Sequence, residues 1–282
     1  MVLESLGQPI RLEKKPSELF FLTFSYCVIA ILLSIWVFPQ YAGLTMVFFT
    51  VMAAIPMMMK MIMFEEKKLF ARPKSENHKD TLMFFVSLFL GMVAAYTLFF
   101  VMLPEETVKT LFDIQISTIN GINAYVGESI SGNFLGNIFP LIVLNNLKVM
   151  IFALLFSFIY GSGAIFILTW NASVISVAIG TLIRELISNA AVGAGAIGVG
   201  SYFSAISVGL SRYLLHGIPE IGAFFVAGLA GGLISIGMLR YEFFDDHFDL
   251  IIKDALFLTC VAAILIVLAA VIEVSVSPLI YS

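Results

Sequence analysis

Charge is scarce in this sequence: only 12 % of its 282 residues are Asp, Glu, Lys or Arg, about half the share of an ordinary soluble domain. Together with 60 % hydrophobic residues and a mean hydropathy of +1.03, that scarcity excludes a water-facing surface over most of the chain. The two cysteines, Cys27 and Cys260, both fall in apolar segments, so they frame no disulfide-stapled external domain and leave the redox compartment undetermined. Three histidines, His78, His216 and His247, leave little for a metal site, and no H-E-x-x-H occurs. A net charge of −4 with no basic stripe sets nucleic acid aside. Gly193-Ala-Gly195-Ala-Ile-Gly198 spells G-x-G-x-x-G, but no strand precedes it and no acidic residue follows at the required distance. Neither a cofactor nor a metal is expected.

Long apolar runs are abundant. A crossing needs about 20 apolar residues, and six segments qualify clearly: Leu19–Phe38, Leu44–Phe64, Leu82–Leu103, Leu147–Thr169, Ile218–Leu239 and Ala255–Val276. The tract Ala172–Leu215 is long enough for two crossings, but Arg184, Glu185 and a glycine-rich run interrupt it. The expected fold is all-α, a polytopic transmembrane helical bundle of about seven spans with a re-entrant segment within 172–193 and one external amphipathic helix. Residues 1–80 read as a two-span hairpin with a basic connection, and 81–282 as the main membrane domain. The polar start, Met1–Ser17, precedes a full-length apolar run without a small-residue cleavage site, which reads as a retained span.

Lys and Arg favour the cytoplasmic side because short basic connections translocate poorly. Arg11, Lys14 and Lys15 precede the first span, and Lys60, Lys67, Lys68, Arg72, Lys74 and Lys79 lie at or in the second connection, whereas Pro104–Pro140 carries only Lys109. The expected protein therefore sits in the cell membrane as a multi-pass chain, with its N-terminus and the 65–81 connection cytoplasmic and 104–140 outside. Seven spans fit these charges better than eight.

The 104–140 connection holds Val108, Leu111, Phe112, Ile116, Ile119 and Ile122 at helical spacing. This stripe suits a helix covering the mouth of the bundle, or one that docks an external partner; Gly127, Gly132 and Gly136 are expected to break it. Ala223, Ala227, Gly231 and Ser235 recur every four residues, with Gly228 and Gly232 beside them. Such small-residue stripes let helix backbones approach closely. This one suits either the centre of the bundle or an interface in a homo-oligomer.

The most polar intramembrane element is Arg212-Tyr-Leu-Leu-His216-Gly217-Ile-Pro219-Glu220. Gly217 suits the end of one helix and Pro219 the first turn of the next. Arg212, His216 and Glu220 would then be either a self-capped turn or a polar site facing a cavity, since ionisable groups at depth are costly. Asn145 and Asn146 are expected to begin a helix, one of them capping its exposed N–H groups, with a polar cluster to Glu220 or His216 as the functional option. Glu273 gives no separate signal. Ser162, in Gly161-Ser-Gly163, with His216 is the single tempting hydrolase pair, but Tyr160 stands where that class carries its motif glycine; Gly-Ser-Gly reads more simply as a packing notch.

Asn145-Asn146-Leu-Lys-Val149, Phe158-Ile-Tyr-Gly161-Ser-Gly163, Trp170-Asn171-Ala172 and His216-Gly217-Ile-Pro-Glu220 followed by Ala227-Gly228-Leu-Ala-Gly231 occur in that order. In this the chain resembles the stage II sporulation protein M family, over about residues 81–276. The resemblance implies a multi-pass membrane anchor that assembles cell-wall-degrading enzymes during engulfment and carries no catalysis of its own. Two departures stand out: Ala172 follows Asn171 where the family commonly has Gly, and the 1–80 hairpin is an addition, which points to a branch outside sporulation. The reading is a non-enzymatic organiser of a membrane complex, with membrane lipids and protein partners in or outside the membrane. The alternative is a transporter or channel with its polar site at His216–Glu220, because broken helices with polar ends form many solute sites.

Overall fold

The computed structural model describes residues 15–71, 78–130, 134–161, 163–192, 199–243 and 245–281; the side chains of 71, 122–130, 134–138, 160, 189–192, 199–216 and 276–281 are outside that description. Among the described residues there are nine α-helices: α1 Pro16–Val37, α2 Ala42–Ala71, α3 Lys79–Met102, α4 Glu105–Leu111, α5 Asp113–Ile130, α6 Phe134–Tyr160, α7 Ala164–Val192, α8 Val199–Arg240 and α9 Asp246–Tyr281. A short 3-10 turn, Pro39–Tyr41, joins α1 to α2.

Seven of the described helices are long and apolar enough to cross a membrane. Helices are the natural outcome, because a segment in lipid must satisfy its backbone N–H and C=O groups internally. Pro56, Pro140 and Pro219 lie inside α2, α6 and α8, where neighbouring helices can offset the lost hydrogen bonds.

Five of the seven spans fall where expected, and two do not. Leu147–Thr169 is not one crossing: α6 ends at Tyr160, the chain turns, and α7 starts at Ala164. The turn needs glycine twice. Gly161 has φ +68, a left-handed conformation costly for other residues, and a Cβ at Gly163 would stand 2.0 Å from the Phe156 carbonyl oxygen. The notch read inside a span is thus a reversal between two spans, disguised because every residue around it is apolar. Residues 172–192 do not dip and return; they continue α7 to its end, and its stretch Ala164–Ser188 is long enough to cross.

The connection after α3 also differs. It forms two helices, α4 and α5, meeting at Phe112. Val108, Leu111 and Phe112 are buried and Ile116 and Ile119 half-buried, so this part of the stripe faces the bundle; the side chain of Ile122 is not described. Gln115 fixes the position by donating to the Gly43 carbonyl at 3.2 Å and the Ser173 hydroxyl at 3.3 Å. Gly127 lies within α5 and Gly136 within α6, so neither breaks a helix, while Gly132 is outside the described residues.

The span of α8, Gly217–Arg240, is the centre of the bundle, with 78 % of its apolar window buried. Its small residues allow this. A Cβ on Gly228 would lie 2.5 Å from the Ala164 Cβ, and one on Gly231 would lie 2.3 Å from the Leu154 carbonyl oxygen. One on Gly232 would lie 2.9 Å from the Gly161 carbonyl oxygen. Ala223, Ala227 and Ser235 are buried on the same helix. The stripe therefore packs against α6 and α7 of the same chain.

Candidate functional site

Two polar groups lie at opposite ends of the bundle. At the end carrying α4 and α5, the sequence-derived site is partly assembled. Asn146 is buried in α6 and its side chain lies beside the Glu220 carboxyl group of α8, with Glu273 of α9 close enough to be felt electrostatically. Asn145 stands beside Asn146, its Nδ2 donating to Asn146 Oδ1 at 3.5 Å, but its side chain is exposed. Neither asparagine begins a helix: α6 starts at Phe134, eleven residues before Asn145. The cap role gives way to a contact between helices for Asn146, the usual service of amides within membrane bundles, while Asn145 bonds its neighbour on the same helix.

No helix ends at His216-Gly217. The α8 helix runs unbroken from Val199 to Arg240 through Gly217 and Pro219, because a proline inside a packed membrane helix need not end it. The backbone of Arg212 and His216 belongs to α8, but their side chains lie outside the described residues, as does Ser162. What the structure joins is thus Asn146, Glu220 and Glu273, not the whole Arg212–His216–Glu220 group. Arg184 also has a structural task here. Its Nε donates to the Phe100 carbonyl at 2.9 Å, its Nη2 to the Leu103 carbonyl, and its guanidinium lies over the Phe100 ring. It thereby satisfies carbonyls at the C-terminal end of α3, where cations suit the helix dipole.

The opposite end carries a network that the sequence reading missed. Glu65, buried near the end of α2, accepts from His78 Nδ1 at 2.7 Å and from the Thr81 hydroxyl. His78 Nε2 meets the Asp254 carboxylate of α9 at 3.3 Å. An imidazole with a carboxylate at each nitrogen is best served as an imidazolium donating to both. Burial alone would pull the His78 pKa down, but the hydrogen bonds and charges of Asp254 and Glu65 outweigh it and lift the pKa to about 9. Next to it, Glu66 is 1 % exposed and accepts from Arg240 Nη1 and the Tyr241 hydroxyl, both at 2.7 Å. Partial burial and this carboxylate push the Tyr241 phenol up to about 12. Phe70, Tyr241 and His247 pack ring against ring over the same end. The one signal for this network was the Glu65-Glu66 pair closing an apolar run, which sequence reading assigned to a solvated connection.

Among the described residues, no group of three or more His, Cys, Asp or Glu is arranged to hold a metal ion. The Glu65–His78–Asp254 network is instead a clamp. It joins α2, the connection before α3, and α9.

The family model described as stage II sporulation protein M matches residues 80–278, more than two thirds of the sequence. The chain belongs to this family. The match opens two residues after His78, so the clamp ties the preceding hairpin to the matched region. Comparison with the curated proteins and with the solved structures finds no match. The chain is accordingly a multi-pass membrane member of the stage II sporulation protein M family, with a two-span hairpin preceding the matched region.

Proposed function

We propose that this protein is a non-enzymatic membrane component that organises or anchors a membrane-associated protein complex. Membership of the stage II sporulation protein M family over residues 80–278 carries this reading. The construction of the bundle is compatible with it: the polar contacts bind helices to one another through Glu66–Arg240, Glu65–His78–Asp254 and Gln115–Gly43. In this reading the protein sits in the cell membrane with the Glu65–Asp80 end cytoplasmic, as the lysines and arginines there favour. The α4–α5 cap would then face outward and be available to partners outside the membrane.

The test is mild cross-linking in native membranes, detergent extraction, and mass spectrometry of what co-purifies, with Glu220→Ala as the control. Stoichiometric proteins lost in the control support the assembly role. A chain recovered alone, or only with copies of itself, overturns it.

The Asn146–Glu220–Glu273 group favours a second reading as a transporter or channel, since carboxylates within apolar helices often mark solute or proton routes. Here Glu220→Gln would leave the fold and its associations intact and abolish flux into liposomes. Under the assembly reading it would weaken partner recovery and leave flux at background.

A further inference from the structure

We propose that the pocket between α4 and the α1–α2 turn binds the primary-ammonium headgroup of a phospholipid of the ethanolamine type. The inference goes beyond the assembly reading and does not depend on it. The pocket has a volume of about 250 Å³. Its apolar lining includes Ile35, Pro39 and Leu111, and its polar lining is Glu106, Thr107 and Thr110. Its two sides meet backbone to backbone. A Cβ at Gly43, next to the lining residue Ala42, would stand 2.9 Å from the Leu111 carbonyl oxygen, and Gln115 of α5 bonds the Gly43 carbonyl. The packing of α2 against α4 therefore fixes the shape of the pocket.

Its level in the membrane follows from the turn. Pro39–Tyr41 reverses the chain between two crossings, and irregular backbone exposed to lipid does not occur within the hydrocarbon. Trp36 and Tyr41, both exposed, flank the turn, as aromatic side chains do at the headgroup level. Beside the pocket α1 faces lipid, with 28 % of its apolar window buried. The pocket is smaller than the roughly 300–1,000 Å³ of sites that enclose a whole ligand. It suits a headgroup whose acyl chains stay outside, along α1.

Charge and hydrogen bonding select the headgroup. Among the described residues, Glu106 is the one ionisable side chain lining the pocket, and it has no ion pair. Lys109, the sole lysine or arginine of α4, pairs with Glu105 at 2.6 Å. The Thr107 hydroxyl makes no hydrogen bond among the described residues. The Thr110 hydroxyl donates to the Glu106 carbonyl at 3.1 Å and keeps its lone pairs for another donor. One carboxylate and two hydroxyl oxygens match the three N–H donors of a primary ammonium. A trimethylammonium has no such donor, and an anionic headgroup would meet the carboxylate charge to charge. A lysine from a partner protein carries the same ammonium group but brings no acyl chains to the lipid-facing flank of α1.

The test places the full chain in nanodiscs with equal amounts of ethanolamine and choline phospholipids of identical acyl chains. Native mass spectrometry then counts the lipids retained after transfer to detergent. Ethanolamine lipid should be retained over choline lipid by about tenfold, equivalent to about 1.4 kcal/mol. Glu106→Gln should abolish this preference and Thr107→Val should reduce it. Glu185, exposed and next to the Arg184 that bonds the end of α3, does not line the pocket, so Glu185→Gln should leave the preference unchanged. Because Glu106 is exposed, the melting midpoint of Glu106→Gln in lipid-free detergent should match the parent, which separates lost binding from lost fold. Water-soluble glycerophosphoethanolamine at equal concentration should not displace the lipid. Displacement by it, equal retention of the two lipids, or a preference indifferent to Glu106→Gln overturns the proposal. So does a photo-crosslinking amino acid at Thr110 that captures protein and no lipid in native membranes.

Discussion

Gly217 and Gly231 belong to one helix, yet substituting them should have opposite consequences. A Cβ at Gly217 meets nothing within 4 Å, while one at Gly231 would stand 2.3 Å from the Leu154 carbonyl oxygen and 2.8 Å from the Ser157 Cβ. Gly217→Ala should be neutral or stabilising by up to about 1 kcal/mol, because alanine loses less backbone freedom within a helix. Gly231→Ala must separate α8 from α6 backbone and should cost about 1–3 kcal/mol, the usual range for overpacking. Thermal unfolding in detergent distinguishes the two. A destabilised Gly217→Ala would restore the helix break that the Gly-Ile-Pro sequence suggested. The sequence displayed both glycines equally well; their difference lies in what stands opposite each, which no local pattern records.

The clamp between α2 and α9 has a definite pH signature. His78 is lifted to about 9 in the folded protein from about 6.5 in an unfolded chain. Its contribution to stability is therefore fully present below pH 6.5 and is lost as the pH rises through 9. The size is on the order of 3 kcal/mol at most. Melting midpoints of detergent-solubilised protein should fall between pH 6.5 and 9.5, and His78→Phe should flatten that part of the profile. An unchanged slope in His78→Phe would show that the clamp is not the titrating element. At this scale, apolar length identified α1, α3 and the span of α8 to within three residues and located α2 and α9, which run seven and nine residues beyond the expected bounds at one end, because apolar runs of that length have few alternatives in lipid. It failed between α6 and α7, where Gly161-Ser-Gly163 reverses direction with apolar residues on both sides. A hydropathy pattern marks a turn only when polar residues accompany it. Of the candidate site, Asn146 and Glu220 were legible as polar residues in apolar segments, and their contact was not.

For the whole molecule, the arrangement of ends gives a topology test. In a background with Cys27 and Cys260 replaced by Ala, single cysteines at Lys67, Ser162 and Asp245 should react with a membrane-impermeant maleimide only after permeabilisation. One at Lys109, which is exposed on α4, should react in intact cells. Reaction at Ser162 alongside Lys109 in intact cells would overturn this arrangement of ends, and no reaction at Ser162 even after permeabilisation would return the position to the interior of a crossing, as hydropathy read it.

Composition by itself determined that this is an all-helical membrane protein with seven spans, since a chain this poor in charge and rich in long apolar runs has no other way to satisfy its backbone in lipid. The ordered motifs from Asn145 to Gly231 determined the family resemblance, which the family model extends to residues 80–278. Only the tertiary structure decided which crossings are neighbours, that the small-residue stripe faces inward, and that Glu65, His78 and Asp254, separated by up to 189 residues, form one clamp. The physical reason is that hydropathy is a property of each segment, whereas depth, close approach and charge pairing exist only between segments.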